Sequence, residues 1–515
     1  MGSFSDFPRS IVGTFLVLLS HSVLPPLQAT RTAESTWGFP RGGDGVHRAI
    51  GGNGFFRIAG LCLLALFSLL CVLGPCWGQD QTVNPRAFGI DLPPGPVAPG
   101  NQRRVIVKED DEAVVGRVHV EVGEYLIVLL PDGRLVPRRR SETSPTDRPF
   151  QPLTPAELGE RLAVGPLNGF QVRTTRHFVF VGNASDEFTA VTAKMLESMV
   201  PGLSGFAELW KLRPVEPELA LPVILFRSER DYQAYRRMPA GIVAYYDILA
   251  NAVVLCEQSP LEGLRQELAV QQTFATIAHE GVHQILANTG IQQRLSAWPM
   301  WLSEGLAEYL APTVPGKKLR WKGPGQVNDF RMFELERYLK SRDADTADGQ
   351  MVEHTVLAAR LTATGYASAW ALTHHLAKNQ RPEFQKILAD ASRLGPLEGD
   401  TQVEPPGLTP GNLRRFRATA GDDLVGIERK LIGHLKRQPY TDPFADFPHV
   451  AAVVSAGTGN RLRRDSNVFH DRAQADRWVQ DVVSKLPADV REQAQVVIRT
   501  FPNRVAAEAF ARQAR

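Results

Sequence analysis

Cysteine is scarce in this chain, which contains four among its 515 residues. Three of them, Cys62, Cys71 and Cys76, lie in an apolar N-terminal segment. A product that loses this segment keeps only Cys256, and one thiol can form neither an internal disulfide nor a thiolate cluster. Any metal site in the remainder of the chain must therefore use histidine and carboxylate ligands.

A strong excess of either charge is also missing. The chain has 58 Lys and Arg against 55 Asp and Glu, a formal net charge of +3, and the two signs are interspersed. The tight basic run at 138–140 is typical of a strand end or a linker. Zinc-ribbon, RNA-binding and phosphate-loop signatures do not occur in the sequence. We therefore expect no nucleic-acid partner.

Charged residues are absent between Arg57 and Asp80, where the sequence reads IAGLCLLALFSLLCVLG over 58–74. A positive residue, an apolar run and a small-residue exit predict a signal peptide, cleaved after Gly78, and hence an exported protein. The apolar run is long enough that an uncleaved membrane anchor is the alternative. The leader is unusually long, so a downstream start, for instance at Val46, also stays open.

The rest of the chain alternates between patterned segments and stretches rich in Pro, Gly, Ser or Thr, which are typical of linkers. Alternation of apolar and polar residues around the turn signal Pro131-Asp132-Gly133 predicts a small antiparallel β unit. The predicted segments are a leader (1–78), a linker (79–102), the small β unit (103–140), a second linker (141–157), an α/β part (158–258), a helical part (259–440) and a C-terminal β-α-β-α appendage (441–515).

Strand and helix patterns mix from about residue 158. The stretches HFVFVGN and LPVILFRS predict buried strands on either side of a helix over 186–210, and GIVAYYDILANAVVLCE predicts a hairpin. A capping box from Ser259 to Glu262, with proline at the first helical position, predicts the start of a long helix. Asn288 and Gly290 provide its stop.

The motif TIAHEGVHQILANTG lies on this helix. Residues four apart share one helical face, so His279 and His283 can direct ring nitrogens at one metal ion. Glu280 is rotated off that face, too far to be a ligand but close enough to take a proton from an activated water. This is the H-E-x-x-H pattern of zinc hydrolases. The alternative is an ordinary histidine pair, solvated or satisfied in the core.

A second helix, PMWLSEGLAEYL, begins at Pro299 and favours the metal interpretation. Its glutamates Glu304 and Glu308 are stacked one turn apart. Glu304 completes a site of two histidines and one glutamate with an open fourth position. Glu308 could accept the outer N–H of a ligand histidine and so fix its tautomer. Two surface glutamates are the alternative.

These motifs resemble the gluzincin branch of zinc peptidases. They are particularly similar to a bacterial family of exported, largely uncharacterised proteins known as a domain of unknown function. The similarity includes TTRHFVFVGNAS, LPVILFRSERDYQAY and GYASAWALTHHL and covers roughly 158–435. It implies a thermolysin-like core with His279, His283 and Glu304 as Zn²⁺ ligands, Glu280 as the base, and Glu308 bonded to the first histidine. Gly281 departs from the family pattern, in which alanine or a bulkier residue is more common.

The resemblance also implies a tyrosine or histidine that stabilises the oxyanion, supplied by the helical part. Tyr366, which opens the helical stretch YASAWALTHHLAKN, is the candidate, because a phenol can donate to developing negative charge. A half-buried core tyrosine is the alternative. His374 and His375 are adjacent and point apart on a helix, so they cannot form a second ligand pair and favour a core or surface role.

The sequence thus predicts an α+β protein with a thermolysin-like zincin core, in which a small mixed sheet adjoins a helical metal-binding part. A small N-terminal β unit and a small C-terminal α/β appendage flank this core. The expected function is that of an exported zinc metallopeptidase acting on a peptide or protein substrate. The alternative is a non-catalytic envelope binding protein that retains the fold. Glu280 favours the enzyme, because a purely structural metal site does not need that carboxylate.

Overall fold

The fold is mixed α+β with several sheets. The computed structural model describes residues 82–514 except 110, 240–241, 259–265, 315–319, 342–343, 406, 458–462 and 471. The predicted signal peptide or anchor at 58–74, its cleavage point and the capping box at 259–262 lie outside these residues. Among the helices that the structure describes, none is both long and apolar enough to cross a membrane.

An antiparallel sheet forms the N-terminal part. Its strand order is β1-β2-β4-β3-β7, with β5 between β4 and β6. The strands are β1 (Thr82–Val83), β2 (Gly95–Pro99), β3 (Arg104–Glu109), β4 (Glu112–Val122), β5 (Tyr125–Leu129), β6 (Leu135–Arg139) and β7 (Ser144–Pro145).

Both predicted linkers contribute to regular structure, so the linker interpretation was wrong for parts of 79–102 and 141–157. Strand β2 pairs with β1 and with β4 although it contains Pro96 and Pro99. Proline is tolerated at strand positions that make no ladder hydrogen bond, which is why composition alone misled. In the second stretch, β7 pairs with β3, and a helix begins at Pro155 behind the capping residue Thr154.

A five-stranded mixed sheet follows, in the order β11-β12-β10-β9-β8. Strands β9, β10 and β12 are parallel, whereas the edge strands β8 and β11 are antiparallel to their neighbours. The predicted strands, helix and hairpin are confirmed. The elements are α1 (Pro155–Leu162), β8 (Gln171–Thr174), β9 (Phe178–Gly182), α2 (Asp186–Leu209), β10 (Leu221–Phe226), α3 (Glu229–Tyr235), β11 (Ala244–Asp247) and β12 (Ala252–Cys256).

Both faces of this sheet are covered, so its central strands are continuous apolar runs. In β9, Phe178 and Phe180 join the main core beneath α2, whereas Val179 and Val181 join a second core that includes Leu158 of α1. Cys256 is buried in β12. Burial on both faces fixes the register, because a slip by one residue would exchange the two sets of side chains.

The helical part packs onto the α2 side of the sheet and shares its core. Helix α5 lies against α8, and Gly305 permits their close approach, because a Cβ at Gly305 would lie 2.5 Å from the carbonyl oxygen of Ala369. The elements are α4 (Gln266–Asn288), α5 (Met300–Leu310), β13 (Thr313–Val314), β14 (Arg320–Trp321), α6 (Asp329–Ser341), α7 (Gln350–Leu357), α8 (Ala363–Asn379), α9 (Arg381–Ala391), α10 (Pro410–Ala420) and α11 (Leu424–Lys436).

The C-terminal unit has an antiparallel sheet in the order β16-β15-β17. The four elements of the predicted β-α-β-α pattern are present, but the prediction omitted β16. That strand reads RRDSNVF and is exposed at its first three residues, so it lacks the apolar alternation that marks a strand. The elements are β15 (His449–Ala456), β16 (Arg463–Phe469), α12 (Arg472–Ser484), α13 (Ala488–Arg491), β17 (Gln495–Phe501) and α14 (Arg504–Gln513).

Candidate metal centre

Helix α4 positions the two motif histidines on one face. His279 and His283 are four residues apart, and their ring centroids are separated by 4.9 Å. Their side chains are only 7% and 12% exposed. The helix ends at Asn288, and Gly290 follows with a φ of 74°, as the stop signal predicted.

Glu304 of α5 meets both histidines. Its Oε2 lies 3.1 Å from Nε2 of His279 and 3.5 Å from Nε2 of His283, and the two Nε2 atoms are 3.2 Å apart. The three potential ligand atoms therefore form a nearly equilateral triangle. Ligand atoms about 2.0–2.2 Å from one ion, in tetrahedral geometry, are separated by about 3.3–3.6 Å, which is close to the sides of this triangle.

Glu308, one turn further along α5, lies on the other side of the His279 ring. Its Oε1 is 3.0 Å from Nδ1 of His279, a hydrogen-bond distance at an angle short of good alignment. Arg331 of α6 donates from Nη2 to the same oxygen at 2.6 Å, and Asn328 donates from Nδ2 to Oε2 at 2.9 Å. A proton on Nδ1, facing Glu308, leaves Nε2 of His279 as the nitrogen that can bind a metal ion in the triangle.

Two ionised carboxylates face the histidines of this site despite their burial. Burial lowers the pKa of His279, but the carboxylates of Glu308 and Glu304 outweigh it and raise this pKa well above the ordinary value. Burial raises the pKa of Glu304, yet His283 and His279 hold it well below its usual range. Arg331 and His279 likewise overcome burial and lower the pKa of Glu308 to about 2. Both carboxylates are thus ionised and favour a cation between the histidines.

Glu280 lies outside the triangle and contacts the sheet edge. Its Oε2 accepts a hydrogen bond of 2.8 Å from the backbone N–H of Tyr246 in β11. Burial raises the pKa of Glu280 in spite of the neighbouring His279 and His283. The raised pKa lies closer to pH 7 than that of an ordinary glutamate, which suits a group that accepts and returns a proton near pH 7.

Tyr366 of α8 borders the same site. Its ring centroid is 6.3 Å from that of His279, and the guanidinium carbon of Arg331 lies 5.3 Å from the centre of the tyrosine ring. Burial and the carboxylates of Glu304 and Glu280 raise the pKa of Tyr366 well above its ordinary value. The phenol is therefore protonated and can act as a hydrogen-bond donor.

Gly281 has a packing role between two helices. A Cβ at this position would lie 2.4 Å from Cδ2 of Leu196 on α2. Gly281 therefore lets α4 approach α2 closely. Its lower helix propensity is the cost of that contact.

Sequence reasoning missed the residues that hold Glu308. Arg331 is fully buried and also donates a hydrogen bond of 2.8 Å to Oε2 of Glu334. Asn328 accepts a hydrogen bond from the backbone N–H of Arg331, as a helix-capping residue does. A charged residue flanked by Phe330, Met332 and Phe333 is an unusual helical pattern that could have drawn attention to Arg331. Its partner could not be read from the sequence.

A family profile described as "Protein of unknown function (DUF1570)" matches residues 273–398. The matched region begins within α4, contains the histidines of the triangle and both glutamates of α5, and extends beyond α8. No curated protein matches the chain. Residues 273–398 are therefore similar to a family whose function is unknown.

Proposed function

We propose that this chain is an exported zinc-dependent metallopeptidase with a thermolysin-like zincin core. The observation that supports this most strongly is the triangle of His279 Nε2, His283 Nε2 and Glu304 Oε2, with sides of 3.1–3.5 Å. A triangle of these dimensions leaves one open tetrahedral position, as catalytic rather than structural zinc sites do.

The donor set fits zinc. Two imidazole nitrogens and one carboxylate oxygen suit a borderline-soft divalent ion, whereas Mg²⁺ and Ca²⁺ prefer all-oxygen sites. The contact of His279 Nδ1 with Glu308, and of Glu308 with Arg331, matches the way that metal-bound histidines are held in proteins. His279, His283 and Glu304 would hold the ion.

Zinc would supply Lewis acidity, which lowers the pKa of a water molecule and polarises the scissile carbonyl. Glu280 then acts as the general base: its carboxylate takes a proton from the attacking water and passes it to the leaving amine. The hydrogen bond from Tyr246 fixes one carboxylate oxygen of Glu280 and leaves the other for the water. The phenol of Tyr366 donates a hydrogen bond to the negative charge that develops on the carbonyl oxygen.

The edge strand β11 supports a peptide as the substrate. Tyr246 donates its backbone N–H away from β12, toward Glu280, so the outer edge of β11 borders the site. Because backbone groups alternate along a strand, Ala244 directs its N–H and C=O to the same outer edge. An extended peptide can add to such an edge as a further strand, with its backbone across the catalytic groups.

The test compares cleavage of a denatured protein or a broad peptide library by the wild type, Glu280→Gln and the exposed control Glu187→Gln. Glutamine keeps an acceptor for Tyr246 but cannot take a proton. Turnover by Glu280→Gln should fall at least about a hundredfold, the usual contribution of positioned acid–base catalysis. Zinc content should not change, and chelation should abolish wild-type cleavage.

Equal cleavage by the wild type and Glu280→Gln would show that the peptidase mechanism is wrong. If both bind zinc and an extended peptide but neither cleaves, the chain is instead a non-catalytic envelope binding protein. The Glu187→Gln control separates loss of the base from a general effect of removing one negative charge. Export is tested separately, by N-terminal sequencing of the mature protein, which should begin around Gln79.

A further inference from the structure

A second group of metal-binding side chains lies where the C-terminal unit meets α6. Asp442 precedes β15, His449 begins β15, and His470 follows β16. One potential ligand atom from each lies within 4.8 Å of the other two. The rings of His449 and His470 have centroids 4.5 Å apart. These residues come from three separate segments, so no local motif reveals them.

His449 has an unsatisfied nitrogen that faces this group. The residue is only 1% exposed. Its Nδ1 lies 2.7 Å from the carbonyl oxygen of Phe447, so it must donate its proton there. Nε2 is then the nitrogen left to face Asp442, and it is buried without a hydrogen-bond partner in the described structure. An unsatisfied buried nitrogen is costly unless something fills its lone pair.

Asp442 faces that nitrogen across a long contact. Its Oδ2 is 3.6 Å from Nε2 of His449, which is too long for a hydrogen bond. The distance does match that between two ligands about 2.0–2.2 Å from one tetrahedral ion, which is about 3.3–3.6 Å. A cation between the two atoms would satisfy both.

The surrounding contacts orient the three side chains. Arg504 donates to Oδ2 of Asp442 at 2.6 Å and to Oε1 of Glu336 at 2.5 Å, and the backbone N–H of Phe444 donates to Oδ1 of Asp442 at 2.8 Å. Oε2 of Glu336 lies 3.1 Å from Nε2 of His470. Such contacts outside the ligand set are typical of metal sites.

The net charge of the surrounding side chains is also compatible with a divalent ion. Arg504 pairs with Asp442, Glu336 and Glu508, and Lys340 pairs with Glu336. The three carboxylates therefore exceed the two cations by one negative charge, before any charge on the histidines. A divalent ion would bring this total to +1.

We propose that Asp442, His449 and His470 form a second metal site, which takes a late first-row divalent ion such as Zn²⁺ and links the segment before β15 to the C-terminal sheet beside α6. Two imidazoles and one carboxylate select such an ion over Mg²⁺ or Ca²⁺. The burial of His449 and of Asp442, whose side chain is 5% exposed, suits a structural role. This site does not depend on the catalytic proposal.

The site has a mechanical consequence through α6. Glu336 of α6 contacts His470, while Arg331 on the same helix holds Glu308 beside His279. Rings reinforce the junction, because Phe333 of α6 lies 4.3 Å from His470 and 4.5 Å from Phe444 between ring centroids. The second ion would therefore fix a helix that also supports the first site.

The test measures the zinc content of the full chain by mass spectrometry after removal of loosely bound metal. The wild type should bind about two Zn²⁺ ions, and His449→Ala and His470→Ala should each bind about one. His283→Ala should also bind about one, and its combination with His449→Ala none. The exposed histidine His354 provides the matched control, and His354→Ala should equal the wild type.

Folding is monitored by circular dichroism, and Asp442→Asn serves as a second variant. It keeps the acceptor for Phe444 but lowers the affinity of the second site for Zn²⁺. In the metal-stripped wild type, added Zn²⁺ should raise the melting temperature in two stages, and His449→Ala should lose one of them. The proposal is overturned if folded His449→Ala and Asp442→Asn bind as much Zn²⁺ as the wild type. A wild type with one ion that is lost in His449→Ala would support this site and reject the first.

Discussion

Two groups of buried histidines differ in the charges that surround them. His279 and His283 face the carboxylates of Glu304 and Glu308, which raise the pKa of His279. On α8 and α11, by contrast, Nδ1 of His374 lies 2.8 Å from Nε2 of His434.

In this second group, burial is the largest of the causes that lower the pKa values of the histidines. The neighbouring His434 and cations such as Lys378 and Lys430 add to it. The pKa values of both His374 and His375 fall to about 4.

The difference shows that burial of histidine is not by itself evidence of a metal site. A buried imidazole without acidic neighbours becomes neutral and packs as part of the core. Ionised carboxylates change this outcome, because they stabilise positive charge on or beside the ring. The functional assignment of α4 therefore depends on the glutamates of α5 at least as much as on the histidine motif.

Removing a glutamate from the first group should have the largest effect on metal binding and cleavage. The histidines then have fewer acidic neighbours, as in the second group. Glu304→Ala leaves two histidine ligands, which hold the ion poorly. We expect the variant to lose about one Zn²⁺ ion per chain and all chelator-sensitive cleavage. Metal analysis beside the exposed control Glu187→Ala measures this. Full occupancy in Glu304→Ala would remove Glu304 from the ligand set.

The next largest effect should come from the donor beside the histidines. Tyr366→Phe removes one hydroxyl and keeps the ring packed against His279. Turnover should fall about a hundredfold, the usual cost of losing an oxyanion donor, while Zn²⁺ content is retained. Steady-state kinetics of Tyr366→Phe and of the distant control Tyr125→Phe provide the comparison. Equal turnover in the two variants would assign Tyr366 to the core alone.

A smaller effect should follow from weakening the contact between Glu308 and His279. Glu308→Gln keeps the shape of the side chain but removes the charge that fixes the Nδ1 proton. The affinity for Zn²⁺ should fall by about 10- to 100-fold, as for other residues that orient a metal ligand. Competition with a chromophoric chelator measures the affinity. An unchanged value would mean that Glu308 serves only to neutralise Arg331.

The smallest effect should appear in the second group on acidification. His374 and His375 have folded pKa values of about 4, below the ordinary 6.5, so the unfolded chain binds protons more readily between these limits. Their contribution to stability is complete above pH 6.5 and is lost as the pH falls toward 4. Because one pKa unit corresponds to about 1.4 kcal/mol, a shift from 6.5 to about 4 corresponds to a loss of up to roughly 3 kcal/mol for each histidine.

Thermal unfolding of metal-free protein between pH 7 and 4.5 tests this. The variant His375→Gln should lose less stability than the wild type over that interval. His354→Ala, at an exposed position, should behave as the wild type does. Parallel pH profiles of the wild type and His375→Gln would show that the buried histidines do not control this loss.

Local patterns predicted the elements that support the candidate site. The strands β9 and β10, the hairpin β11–β12 and the helix over 186–209 follow from periodicity and turn residues. The end of α4 at Asn288 and the start of α5 directly after Pro299 follow from helix stop and start signals. These signals act within a few residues, so a sequence contains them directly.

Predictions that depended on composition were less successful. Residues 82–99 are rich in proline and glycine, yet β1 and β2 extend the first sheet. Strand β16 is mostly polar and was missed. In both cases the pairing partner decides whether the segment is a strand, and a partner distant in the chain leaves no local pattern.

The sequence by itself determined that His279 and His283 share one helical face, because residues four apart on a helix lie on the same side. It also placed Glu304 and Glu308 one turn apart on a second helix. Only the tertiary structure decided that these helices meet, that Arg331 holds Glu308, and that Tyr246 holds Glu280. It alone assembled Asp442, His449 and His470 from three segments. The physical reason is range: helical geometry is set by neighbouring residues, whereas these contacts depend on how the buried faces pack.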